Sequence, residues 1–261
     1  MLKKTSLYAA YSTRKIVAEY AKQPLSLTED QSLAPKDLAF GSNQWLSDRE
    51  VNHDNTSSNH VALWYDQVGS NDLAPVAQQA PRFTSRQAQK LVHHKPVATF
   101  TDKTGLTATN PVTNFLDVAL SFVISTDVVT ASSVFNFTGV NDPRFQSHLP
   151  WIDGNVCFDF ATVSSAAWRT SAAYPVIEGD FAIVTYVSSK DAASIYVNGK
   201  MLSTTVQTTE VIKSEKFILG FGNGIACASG NFSLGELVIS KADYFKDVIK
   251  SQAKYFNIPV A

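Results

Sequence analysis

Beyond residue 95 the apolar residues fall into short runs: Val97–Phe100, Leu120–Ile124, Ser133–Phe137, Asn155–Phe160, Phe181–Val187, Ser194–Val197, Lys216–Phe221 and Phe232–Ser240. Each has strand length and is bounded by residues that favour turns. Many short strands at this spacing predict an all-β fold, a sandwich. The sharpest local signal is Asn198-Gly199 between Ile195-Tyr196-Val197 and Met201-Leu202. Asn-Gly tolerates the positive φ angles of a type I′ turn, which predicts a β-hairpin there.

The first 95 residues read differently. Leu7, Tyr8, Tyr11, Ile16, Val17 and Tyr20 fit a short helix ahead of Pro24. Residues 41–60 are rich in Asn, Ser, Asp and His, whose side chains compete with regular structure for backbone hydrogen bonds, and so predict a long surface loop. Val61–Tyr65 follows as a strand, closed by the turn cluster Asp66–Asp72. At the other end Tyr244, Phe245, Val248, Ile249, Ala253 and Phe256 recur at helical spacing after Asp243, which predicts an N-capped helix ending before Pro259. The expected organisation is one β-sandwich domain over 1–261. Residues 1–95 carry the leading helix, loop and first strands, 96–241 the main sandwich and 242–261 the C-terminal helix.

Composition supports a single large core: 44% of residues are hydrophobic and 17% charged, in a chain of 261 residues. With 22 basic and 23 acidic residues and no extended charged block, the chain lacks the basic footprint that nucleic-acid binding requires. No segment reaches the roughly 20 apolar residues that span a bilayer. Arg14, Lys15 and Glu19 interrupt the apolar core that a signal peptide needs, so synthesis in the cytoplasm without a Sec-type signal is expected, with no membrane insertion. Cys157 and Cys227 lie far apart with no metal-ligand spacing, and read as small buried strand residues, although a bridge between them is left open.

Candidate chemistry is sparse. There is no GxSxG elbow, HExxH helix or phosphate-cradling Gly-rich loop with Lys. Adjacent residues on a strand point to opposite faces, so His93 and His94 cannot both ligate one metal there; neither metal nor cofactor is expected. Asp66 is read as capping the turn at Gly69–Asn71 from the end of its strand. Trp151 and Trp168 are the aromatics best suited to stack on a sugar, Trp151 having Asp153 and Asn155 beside it for hydroxyl groups. The alternative for both tryptophans is a place in the core or an interface.

Two resemblances emerge from these residues. Ala10–Tyr20, containing Ser12-Thr13-Arg14, followed by Tyr65-Asp66-Gln67-Val68-Gly69 and the Asn71 turn, resembles the start of the fungal arabinofuranosidase B catalytic domain. His148-Leu149-Pro150-Trp151-Ile152-Asp153-Gly154, continuing to Phe158-Asp159, is similar to a stretch in bacteriophage virion proteins that carry a concanavalin A-like (laminin G-like) sandwich. Both resemblances imply a two-sheet jelly roll, with Arg14, Tyr65, Asp66, Gln67 and Gly69 as its structural motif.

The enzyme resemblance also implies where catalytic carboxylates belong. A retaining glycosidase needs two, about 5 Å apart. The segment equivalent to the nucleophile's reads Pro150-Trp151-Ile152-Asp153-Gly154-Asn155, and that equivalent to the acid's reads Gly220-Phe221-Gly222-Asn223-Gly224-Ile225, both without Glu. Asn223 is an amide and cannot donate a proton as an acid must. It is kept, with Trp151, Asp153, Asn155 and Trp168, as a candidate glycan ligand. The expectation is a non-enzymatic virion protein, a capsid decoration or other accessory component. Its expected partners are other virion proteins, with glycan binding and homo-oligomerisation left open. The alternatives are a tail receptor-binding protein, a lectin, or an arabinofuranosidase-like hydrolase.

Overall fold

The computed structural model describes residues 7–12, 14–17, 26–32, 38–40, 61–64, 71–76, 82–84, 97–100, 104–126, 133–139, 144–161, 168–207, 212–220 and 231–261. Its strands up to residue 100 are β1 (Leu7–Ser12), β2 (Arg14–Val17), β3 (Ser26–Ser32), β4 (Leu38–Phe40), β5 (Val61–Trp64), β6 (Ala74–Pro75), β7 (Arg82–Thr84) and β8 (Val97–Phe100). Then come β9 (Leu106–Thr109), β10 (Val118–Thr126), β11 (Ser133–Thr138), β12 (Arg144–His148), β13 (Asn155–Ala161) and β14 (Arg169–Ala173). The last are β15 (Phe181–Ser188), β16 (Ala192–Val197), β17 (Lys200–Val206), β18 (Lys216–Leu219) and β19 (Phe232–Ser240), followed by helix α1 (Phe245–Phe256).

Two antiparallel sheets hold most of these strands. The first runs β17-β16-β15-β10-β19-β8-β7, with β1 also paired to β19; the second runs β14-β13-β12-β11-β18-β9-β6. Alternation along the strands makes the sandwich. On β10, Val118, Leu120, Phe122 and Ile124 enter the core between the sheets, where Phe122 stacks on Phe135 of the second sheet at 5.6 Å between centroids. Phe135 also meets Tyr186 at 5.4 Å and Phe158 at 6.3 Å, so rings from both sheets meet around it.

The outer face of the first sheet is covered by α1. Val97, Val123 and Ile183 pack against Ile249, Ala253 and Phe256. A bulge in the β10–β19 register falls at Gly235, where a Cβ would lie 3.0 Å from the Phe256 ring; a glycine therefore lets the helix seat closely. Gln252 is buried beneath the helix, accepting a 2.6 Å hydrogen bond from Ser121 Oγ and donating to the Ser121 carbonyl at 3.2 Å.

The expected sandwich, the C-terminal helix and the hairpin are all present. Asn198 and Gly199 both have positive φ (49° and 81°) and join β16 to β17. The leading helix is corrected to strands: Leu7–Ser12 pairs with Ser240–Glu236 of β19, and Arg14–Val17 pairs with β3. Pairing satisfies an edge of β19 that a helix would leave open, and tertiary pairing of this kind overrides a loose helical period. Asp243 is not the helix N-cap; it lies inside a 3-10 turn, Ala242–Tyr244, and Tyr244 caps α1 without a side-chain hydrogen bond. The strand expected over Lys216–Phe221 ends at Leu219; the one expected over Val61–Tyr65 is present over Val61–Trp64, and Tyr65 lies outside the described residues. The loop over residues 41–60 lies outside the described residues.

Candidate functional site

With α1 over the first sheet, the outer face of the second is where the fold gathers polar side chains. Phe135 and Phe137 turn into the core from β11, which places Asn136 on the opposite face. The same alternation turns Phe145 of β12 inward and Gln146 outward, and places Asp159 outward between Phe158 and Phe160 of β13. Strand register then aligns them in one row, Ile218–Asn136–Gln146–Asp159–Arg169. A parallel row on one side holds Ser133, His148, Cys157 and Ser171. The row on the other side holds Lys216, Thr138, Arg144 and Ala161, with Thr138 and Arg144 one place beyond the Phe137–Phe145 pair.

Asp159 is the electrostatic centre. Arg169 grips it with both ends of its fork, Nε to Oδ1 at 2.5 Å and Nη2 to Oδ2 at 2.9 Å, and Gln146 Nε2 donates to Oδ2 at 2.9 Å. Arg144 Nε stands 3.7 Å from the same oxygen and His148 Nε2 3.8 Å. Burial raises the Asp159 carboxyl. The hydrogen bonds from Arg169 and Gln146 and the charges of Arg169 and His148 outweigh it and hold the group below the usual carboxylate range. Asp159 is therefore an anion whose charge is already matched.

Gln146 also reaches His148: its amide nitrogen lies 3.3 Å from His148 Nε2 while donating to Asp159, and His148 Nδ1 lies 3.2 Å from Ser133 Oγ. Serine, histidine and aspartate thus stand in line on this face. Asn136 differs from its neighbours. It is fully buried, and neither its amide nitrogen nor its amide oxygen has a hydrogen-bond partner. Each such group costs roughly 1–3 kcal/mol until something bonds to it.

The β12–β13 hairpin carries Trp151, Asp153 and Asn155. Trp151 is half-buried and its ring lies 4.4 Å from that of His148, which joins it to the polar rows. The peptide before Pro150 is cis, and Ile152 at the tip is 73% exposed. Asp153 and Asn155 are together but occupied with each other: Asp153 accepts from the Asn155 backbone N–H at 3.0 Å and from its side-chain nitrogen at 2.8 Å. Trp168 is not brought to this group; it packs against the core between the sheets, because Arg169 takes the outward position. Cys157 is a buried free thiol in β13, and burial pushes it up to about 11, which keeps it protonated and unreactive. Arg14 lies in β2, while Tyr65, Asp66, Gln67, Gly69, His93, His94, Asn223 and Cys227 lie outside the described residues.

The central residues Asn136, Gln146, Asp159 and Arg169 were missed by sequence reasoning, as was the whole of β12 and β14. The signal was present: Phe135-Asn136-Phe137 and Phe158-Asp159-Phe160 each set one polar residue between two inward rings. A period of two places those polar groups together on the opposite face.

Chemically, the rows offer amides, a guanidinium pair, an imidazole and an adjacent aromatic ring, the equipment that fixes hydroxyl-rich ligands. Asp159 is the one carboxylate in them among the described residues. Also among the described residues, no group of three or more His, Cys, Asp or Glu is placed to hold a metal ion.

No protein-family model matches the chain, and no curated protein matches it. Solved structures do. Domain 4 of AbnA, a GH43 extracellular arabinanase from Geobacillus stearothermophilus, in complex with arabinotriose, aligns with a TM-score of 0.55 at 14% identity, over 91% of this chain and 93% of that one. An arabinofuranosidase complexed with arabinofuranosyl-α-1,2-xylobiose aligns with a TM-score of 0.62 at 14% identity, over 98% of this chain and 64% of that one. The binding domain of botulinum neurotoxin DC, in complex with rat synaptotagmin II, aligns with a TM-score of 0.54 at 12% identity, over 72% of this chain and 48% of that one. The chain thus spans nearly all of the arabinanase domain but only about half of the toxin domain. At these identities the likeness is one of fold, and the chain is a two-sheet antiparallel β-sandwich of the architecture those domains share.

Proposed function

We propose that this chain binds carbohydrate on the outer face of its second sheet and does not cleave it. The observation that carries this reading is the Asn136 amide, buried with both its donor and its acceptor unmet in a row with Gln146 and Asp159. Among the described residues the other buried orphans, on Ser125, Ser147, Tyr174 and Tyr186, are single hydroxyls. A planar amide beside a second amide and a matched ion pair suits adjacent sugar hydroxyls, each of which both donates and accepts, once the ligand displaces what covers these buried side chains. Trp151, seated on His148 at the margin, adds an apolar ring for the C–H face of a sugar. Asp159, held as an anion by Arg169, does not supply the proton a glycosidase acid must donate, and among the described residues no second carboxylate stands in these rows to supply it, which supports non-cleavage. The arabinose-containing ligands of two structural neighbours make arabinan and arabinoxylan fragments the first sugars to try.

A glycan array probed with the full chain, paired with an aryl arabinofuranoside hydrolysis assay, tests this. Binding to at least one glycan without release of the aryl group is the expected result. A silent array sinks the binding reading, and turnover sinks the claim of non-cleavage.

A second reading, favoured by the His148–Asp159 stretch, makes this sandwich a capsid-decorating or other accessory virion component that displays the same face. Quantitative mass spectrometry of purified particles from the source tests it: the protein is present in the particle, or that reading fails.

A further inference from the structure

Resting on the carbohydrate-binding reading, we propose that the sugar held on this face is acidic, carrying a carboxylate or a sulfate that sits between Arg144 and Lys216. The row beside Asn136 places these two cations on either side of Thr138. One strand separates theirs, so their backbones are about 10 Å apart at the usual strand spacing. Both are accessible from solvent: Lys216 is exposed and the Arg144 side chain is 31% exposed.

Charge in the three rows is unbalanced. Asp159 is taken by Arg169 in a bidentate pair, leaving Arg144 a single 3.7 Å approach to the same carboxylate. Asp153 is spent on Asn155 and belongs to the hairpin at the opposite end of β12 and β13 from Arg144. Among the described residues Arg144 and Lys216 therefore remain to receive an anion, and a charge-assisted hydrogen bond to either is roughly twice as strong as a neutral one. The unmet Asn136 amide lies one row inward, about 7 Å along the strand. Asn136 and Gln146 are buried, so a sugar whose acidic group lies over Thr138 is held first by the two accessible cations, and its neighbouring hydroxyls meet Asn136 and Gln146 only by displacing what covers them.

Isothermal titration of the full chain with a tetragalacturonate, a heparin tetrasaccharide and a neutral arabino-oligosaccharide tests this. One acidic probe is expected to bind at least about tenfold more tightly than the neutral one, and which probe it is distinguishes carboxylate from sulfate. Arg144→Gln and Lys216→Gln are each expected to weaken acidic binding about tenfold, to leave the melting temperature unchanged and to flatten the salt dependence. Neutral binding as tight as acidic binding, or acidic binding indifferent to both substitutions, overturns the proposal. If a neutral probe binds in a manner that depends on Asn136, this inference alone fails; if no probe binds, the carbohydrate reading fails with it.

Discussion

Replacing Phe135 with Ala is expected to remove roughly 3–5 kcal/mol of stability, the cost of deleting a fully buried ring from a close-packed core. Phe135 stacks on Phe122 across the sandwich, meets Tyr186 edge-on and lies among Phe137, Phe145, Phe158 and Phe217. No single neighbour can fill the void, because rings from both sheets border it. Denaturant unfolding should show a lower midpoint with an unchanged slope, since the folded topology survives. A loss under about 1 kcal/mol would mean that the two sheets do not share this core.

Arg169→Met is expected to cost about 3 kcal/mol at neutral pH, because it leaves Asp159 buried without its main partner. The pH dependence follows from the direction of the Asp159 shift. Its folded carboxyl lies below the ordinary value, so its contribution is fully present above the unfolded pKa of about 3.9, and it is lost as pH falls through the folded value. In the variant the guanidinium no longer opposes burial, and the carboxyl moves upward. The gap between native and variant stability should therefore be widest above pH 5 and narrow steadily below pH 4. A gap that does not vary with pH would show that Asp159 is not the group Arg169 stabilises.

How much of this was legible in the sequence depends on which way each residue faces. β10 and β19 could be read because they are buried on both faces and appear as predominantly apolar runs. The Asn198-Gly199 hairpin could be read because its turn chemistry is local. β12, Arg144–His148, has one large apolar residue in five, and β14 is mostly polar and small, so neither stands out as a run. Leu7–Val17 was misread because its structure comes from pairing with β19 and β3, which no local period reveals.

The candidate site divides the same way. Trp151 was visible by residue type, and it does adjoin the polar rows through His148. Trp168 was chosen on the same grounds, but its neighbour Arg169 faces outward and Trp168 faces the core. Asn136 is ordinary in sequence; its significance appears only when register sets it beside Gln146 and burial removes every partner.

Asn136→Leu tests the central claim most directly, read as glycan affinity and thermal stability on the same protein. Replacing a buried, unbonded amide with an apolar side chain of similar size should leave the melting temperature unchanged or raise it. The expected result is at least a tenfold loss of affinity for the array-identified glycan with the fold intact. Unchanged affinity in a stably folded variant would contradict the account and place the ligand elsewhere on the sandwich.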